Sequence, residues 1–206
     1  AGSITIKGYN KNRKSEKYTI EDSREGWVES LKLLLDSYFF GTSQVEFDYS
    51  KIREAGLPIK GFGGVSSGPQ PLVDLHTNIA KVLDREIGSS ISVRTIVDIQ
   101  NLTGTCVVAG NVRRTSEIAF GSHSDEEFLD LKNYDKNPDR AAYGWTSNNT
   151  IFCDIGMNYK SSAERTKKYA EPGYAWLENM QSFSQMNGTP DYKDHRVKGG
   201  NPCLRY

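Results

Sequence analysis

An α/β fold with mainly parallel strands is what the sequence predicts, and three observations predict it. Several stretches place apolar residues at helical spacing, among them Trp27, Leu31, Leu34, Leu35 and Tyr38. Others are short alternating or continuous apolar runs, such as Val45, Phe47 and Tyr49, which read as strands. The two kinds follow one another along the chain, the pattern of parallel strands joined by helical crossovers. No internal repeat or low-complexity tract interrupts it.

Taken in order, residues 4–17 are polar and basic and read as a ribbon or loop. A helix begins at Asp22 or Ser23, either of which caps an N-terminus, and Gly41 stops it. Residues 44–49 form a strand. A Gly/Pro-rich loop, 54–71, lacks any period and leads to two helices around 71–87 and 92–104. In the second of these, Val93, Ile96, Val97, Ile99 and Leu102 make the expected buried stripe. Val107, Val108 and Ala109 lead into a loop from Gly110 to Arg114, followed by a short strand, 117–120. An acidic helix starts near Ser124, a strand covers 149–154, and helices are expected over 161–171 and 173–185. The tail, 187–206, is polar and Gly-rich and reads as a loop.

Charge narrows the function. The 206 residues carry 26 basic and 26 acidic side chains, so the net charge is zero. General nucleic-acid and membrane-surface binders need a basic surplus, and both are excluded as partners. No apolar run approaches the ~20 residues that span a bilayer. Ala1-Gly2-Ser3 has no apolar region behind it, so it is read as a cloning scar and not as a signal peptide. Cys106, Cys153 and Cys203 lie far apart, which suits a reducing cytoplasm better than a disulfide framework. With His76, His123 and His195 they form no ligand spacing, so no metal site is expected.

Four segments carry candidate chemistry. Residues 51–72 (KIREAGLPIKGFGGVSSGPQPL) surround Arg53 and Lys60 with glycines, whose backbone N–H groups approach an anion closely; such a loop suits a phosphate, or is a plain connection. Residues 107–121 (VVAGNVRRTSEIAFG) present Asn111, Arg113 and Arg114 just before a strand, to a nucleotide or to solvent. Asp22-Ser23 is a helix cap by default. Cys203, in the loop Gly199-Gly200-Asn201-Pro202, is placed like a thiol held at a defined point in a site, or on an ordinary surface loop.

In this order DSREGW, IREAGLPIKGFGGVSSGP, VVAGNVRRTSEIAFG, WTSNNTIF and GGNPC resemble the adenosylcobalamin-dependent (class II) ribonucleotide reductases, from Tyr18 to Cys203. The resemblance implies about half of a ten-stranded α/β barrel, with both specificity loops in 18–198. Residues 1–17 would then end an effector-region insertion, and 199–206 would open the finger loop. It implies that Asp22 reads the ribose of a deoxynucleotide effector, and that Arg53 and Lys60 hold its phosphates. Gly110, Asn111, Val112, Arg113 and Arg114 would relay effector identity to the substrate base. Asn201 would hydrogen-bond the hydroxyls of a ribonucleotide substrate. Cys203 would become the thiyl that abstracts the 3′ hydrogen, with adenosylcobalamin as cofactor. A thioredoxin-like dithiol reductant and the remainder of the barrel would be the other partners.

Two features depart from the family pattern. Its motif continues Asn-x-Cys-x-Glu, but Arg205 stands at the glutamate and cannot accept a proton. Neither Cys106 nor Cys153 matches the family's redox pair, and both read as small buried hydrophobes. Cys203-Leu204-Arg205-Tyr206 also resembles the opening of an intein. On that reading Cys203 performs the acyl shift and the radical cysteine starts the downstream segment.

Overall fold

A computed structural model describes residues 3–59, 61, 63–110 and 114–202. The chain divides into two compact units, Ala1–Thr115 and Ser116–Tyr206.

In the first unit, β1 (Glu16–Thr19) and β2 (Val45–Asp48) pair in parallel, with Tyr18 opposite Phe47. The helix α1 (Arg24–Phe39) connects them. Ser23 caps it, accepting from the Gly26 N–H at 3.0 Å, and Gly41 follows its end at φ +68°, where a side chain would be strained. The buried face of α1 differs from the expected apolar stripe. Leu34 and Tyr38 are buried, but the rest of that face is Gly26, Ser30 and Ser37. Small residues let α2 (Gln70–Asp84) approach closely. Ser30 Oγ lies 3.1 Å from His76 Nε2, and Tyr38 donates to Asp84 at 2.7 Å.

Leu72, Leu75, Ile79, Val82 and Leu83 bury the apolar side of α2 at helical spacing. Next comes α3 (Val93–Val108), capped by Ser92 and four residues longer than expected, since Val107 and Val108 continue it. Its buried face also departs from the apolar stripe. Val97 and Leu102 are buried, Ile96 is exposed, and Thr95, Asp98 and Asn101 take the remaining inner positions. Partners offset that burial: Thr95 donates to Glu86 at 2.9 Å and Arg94 pairs with Asp98 at 3.2 Å.

The second unit is built on a parallel sheet of order β3 (Glu117–Ser122), β4 (Ser147–Phe152), β5 (Gly173–Ala175). Between β3 and β4 lie the short helix α4 (Glu126–Leu129), capped by Asp125, and two 3-10 turns. The helix α5 (Lys160–Tyr169) crosses from β4 to β5, and α6 (Leu177–Ser182) follows. The helix expected over 173–185 is thus a strand and then a shorter helix. Pairing with Thr150–Phe152 recruits Gly173–Ala175 to the sheet, and tertiary context overrides the local pattern.

One contact in this unit admits no side chain. A Cβ at Gly121 would meet the buried Phe128 ring at 2.4 Å. Gly121→Ala is expected to cost about 1–3 kcal/mol through overpacking. Urea unfolding followed by circular dichroism reads this, and an unchanged midpoint contradicts it.

Candidate functional site

Because β1 and β2 run in parallel, the turns leaving their C-terminal ends lie side by side. Two ion pairs join these turns: Glu21 with Lys51, and Asp22 with Arg53 at 2.6 Å. Arg53 also donates to the Pro58 carbonyl at 2.8 Å. Exposed pairs of this kind are worth at most about 1 kcal/mol, so they orient the side chains more than they stabilise the fold. Beyond Arg53 the chain folds back as a hairpin, bridged at Pro58 and Val65 and closed by Gly56 N–H to Ser66 O at 2.9 Å.

The second candidate loop starts against the end of the first. Gly110 has φ +83°, and a Cβ there would meet Ser67 at 3.1 Å. Arg114 is exposed. Lys60, Asn111, Val112 and Arg113 lie outside the described residues. The structure thus brings Asp22 together with Arg53, and Gly110 close to Ser67.

The second unit holds a cavity of about 240 Å³ lined by Phe120, Asn148, Asn149, Thr150, Glu171 and Asn201, among others. Ile118 and Phe120 pair in register with Asn148 and Thr150, and alternate positions share one sheet face. The loop 199–202 crosses the cavity. A Cβ at Gly199 would meet the Phe120 ring at 2.8 Å, and Asn148 Nδ2 donates to the Pro202 carbonyl at 3.3 Å. Asn201, on this loop, lines the cavity. Cys203 to Arg205, and with them the choice between reactive thiol and splice junction, lie outside the described residues.

Reaching the cavity wall at Glu171 and Asn149 is a buried polar network that the sequence reading missed. Lys132 Nζ lies 3.4 Å from Glu171 and donates to the Gly144 and Ser147 carbonyls at 2.7 Å each. Glu171 accepts the Asn149 N–H at 3.0 Å. Burial pushes the Glu171 carboxyl up and the Lys132 ammonium down, and their mutual attraction opposes both shifts. The Asn149 Nδ2 is buried and has no partner among the described residues. The motif WTSNNTIF is the signal that could have found Asn149; Lys132 and Glu171 carry no local signal.

Cys153 is buried, and burial pushes the Cys106 thiol up to about 11, as suits an inert thiol. Among the described residues no group of His, Cys, Asp and Glu could hold a metal ion, and no helix is long and apolar enough to cross a membrane.

Residues 1–83 match the family described as "B12-dependent ribonucleotide reductase, insertion domain". The chain is 58% identical over 204 residues to an adenosylcobalamin-dependent ribonucleoside-triphosphate reductase of Euglena gracilis, covering 99% of this chain and 28% of the relative. A solved B12-dependent (class II) ribonucleotide reductase superposes with a TM-score of 0.80 at 33% identity, over 92% of this chain. The chain belongs to the class II ribonucleotide reductases. A probable reductase of the same type from Dictyostelium discoideum is 54% identical over 91% of the chain and 25% of its own length. This class II reductase chain therefore spans about a quarter of the length of the curated relatives it matches, and its parallel sheets are those of a partial α/β barrel.

Proposed function

We propose that this chain supplies nucleotide-handling parts of an adenosylcobalamin-dependent ribonucleoside-triphosphate reductase. The observation that carries the reading is the loop 199–202 lying on the open face of β3 and β4. There Asn201 shares a cavity with Asn148, Thr150 and Glu171, groups that can donate to or accept from ribose hydroxyls. Asn201 holds those hydroxyls, and Cys203, two residues on, is the thiol that exchanges hydrogen with the sugar. Asp22, Arg53 and Lys60 grip a deoxynucleotide effector at the β1 and β2 ends, and Gly110 to Arg114 pass its identity to the substrate base. A thioredoxin-like dithiol supplies the two reducing electrons.

Adenosylcobalamin supplies radical initiation when it is bound to such an enzyme.

The test is turnover of a ribonucleoside triphosphate by the complete gene product, with adenosylcobalamin and a dithiol. Wild type is expected to form deoxynucleotide, and Asn201→Ala to lower kcat by about 10²-fold, the scale of losing one placed donor. Wild-type protein without turnover, or Asn201→Ala equal to it, overturns the proposal.

A further inference from the structure

Two side-chain amides from different elements hold the segment that leads to Cys203. On α6, Gln181 Nε2 donates to the Val197 carbonyl at 2.9 Å. On β4, Asn148 Nδ2 donates to the Pro202 carbonyl at 3.3 Å. Between them Gly199 lies flat against the Phe120 ring, where a Cβ would come to 2.8 Å. The segment needs such anchors. Gly199 and Gly200 have the freest backbones of any residue, and Pro202 lacks an N–H with which to join a ladder.

The Asn148 contact is the one nearest the thiol. The Pro202 carbonyl belongs to the peptide unit that ends at the Cys203 Cα, and this unit is planar. Fixing that oxygen fixes the plane from which the cysteine departs. Asn148 is exposed, so its bond competes with water and acts on placement more than on folding.

We propose that Asn148 is a positioning residue for the cysteine after Pro202, with Gln181 as the second anchor of the same loop; this rests on reading that cysteine as the reacting thiol. The Asn148 amide orients the Pro202 carbonyl, and that carbonyl fixes the peptide plane that joins Pro202 to the cysteine.

The experiment is alkylation of the complete gene product by iodoacetamide, with the rate at the cysteine following Pro202 read by peptide mass spectrometry. Cys153, buried in the same unit, reports any loss of folding. Asn148→Ala is expected to raise the rate after Pro202 about fivefold, the effect of one net hydrogen bond, with Cys153 unchanged. Gln181→Ala should raise it less, and the double variant more than either. If Asn148→Ala also speeds Cys153, Asn148→Asp, of the same size but with no donor, is read by the same two rates. Equal rates after Pro202 in wild type and variant, with Cys153 unchanged, overturn the inference. In the turnover assay the same variant should lower kcat. A wild type that does not turn over refutes the proposed function alone, since the alkylation rates still decide this point.

Discussion

Lowering the pH from about 6.5 to 4 is expected to weaken the first unit by on the order of 3 kcal/mol, through His76 alone. The His76 side chain is buried between α1, α2 and β2, with its ring 4.3 Å from that of Phe47. Ser30 spends its proton on the Trp27 carbonyl at 2.8 Å, so the contact between Ser30 Oγ and His76 Nε2 needs a proton on the histidine. Tyr49 OH then donates to His76 Nδ1 at 2.8 Å. This arrangement fits a neutral ring, and burial holds its pKa down at about 4.

The sign follows from linkage. In the unfolded chain His76 takes up its proton near pH 6.5, and in the fold only near 4. Stability is therefore full above the unfolded value and is lost as pH falls through the folded one. Hydrogen exchange of the α1 and α2 amides between pH 7 and 4, corrected for intrinsic rates, measures it within this unit. His76→Gln keeps a polar side chain that does not titrate, and its opening free energy should be nearly flat over the same range. Parallel pH curves for wild type and His76→Gln contradict the assignment. Asp130, in the other unit, acts lower: burial raises its pKa, but hydrogen bonds from Arg165 and Lys136 outweigh this and hold it at about 2.

Particular residues show what could be read from the sequence. Ser23, Ser92 and Gly41 mark helix ends by chemistry local to a few residues, and the structure places ends there. Alternating strands and helices announced parallel pairing, which both sheets show. The inner faces of α1 and α3 were not legible. Ser30, Ser37, Asp98 and Asn101 are buried, with Ser30 against His76 of α2, Ser37 donating to the Leu34 carbonyl and Asp98 paired with Arg94, and a helical-spacing rule scores them as outward. The three residues of β5 are too short for any period to show. The site was half legible for the same reason. Its loops announce themselves by glycine and arginine, whereas Lys132, Glu171 and Gln181 look like ordinary surface residues until the fold closes around them.

Lys132→Met is expected to destabilise the second unit by about 3–5 kcal/mol at pH 7.5, because it leaves a largely buried carboxylate without its cation. The lysine side chain is 11% exposed and that of Glu171 16%. Methionine fills the space but leaves the Gly144 and Ser147 carbonyls without their 2.7 Å donor, and Glu171 without its ammonium. Burial already raises the Glu171 pKa, and loss of the neighbouring charge raises it further. A carboxyl whose folded pKa lies above its unfolded one favours the fold when protonated. The stability it contributes is present at low pH and is lost as pH rises through the folded value. The deficit of Lys132→Met should therefore be smaller at pH 5 than at pH 7.5. Adding Glu171→Gln, which can still accept the Asn149 N–H, should recover much of it and remove the pH dependence. Urea unfolding at the two pH values measures all three variants. A Lys132→Met protein within about 0.5 kcal/mol of wild type at both would show that the pair does not carry the start of β4. With the pair intact, Glu171 accepts the Asn149 N–H on the strand whose Asn148, Asn149 and Thr150 line the cavity.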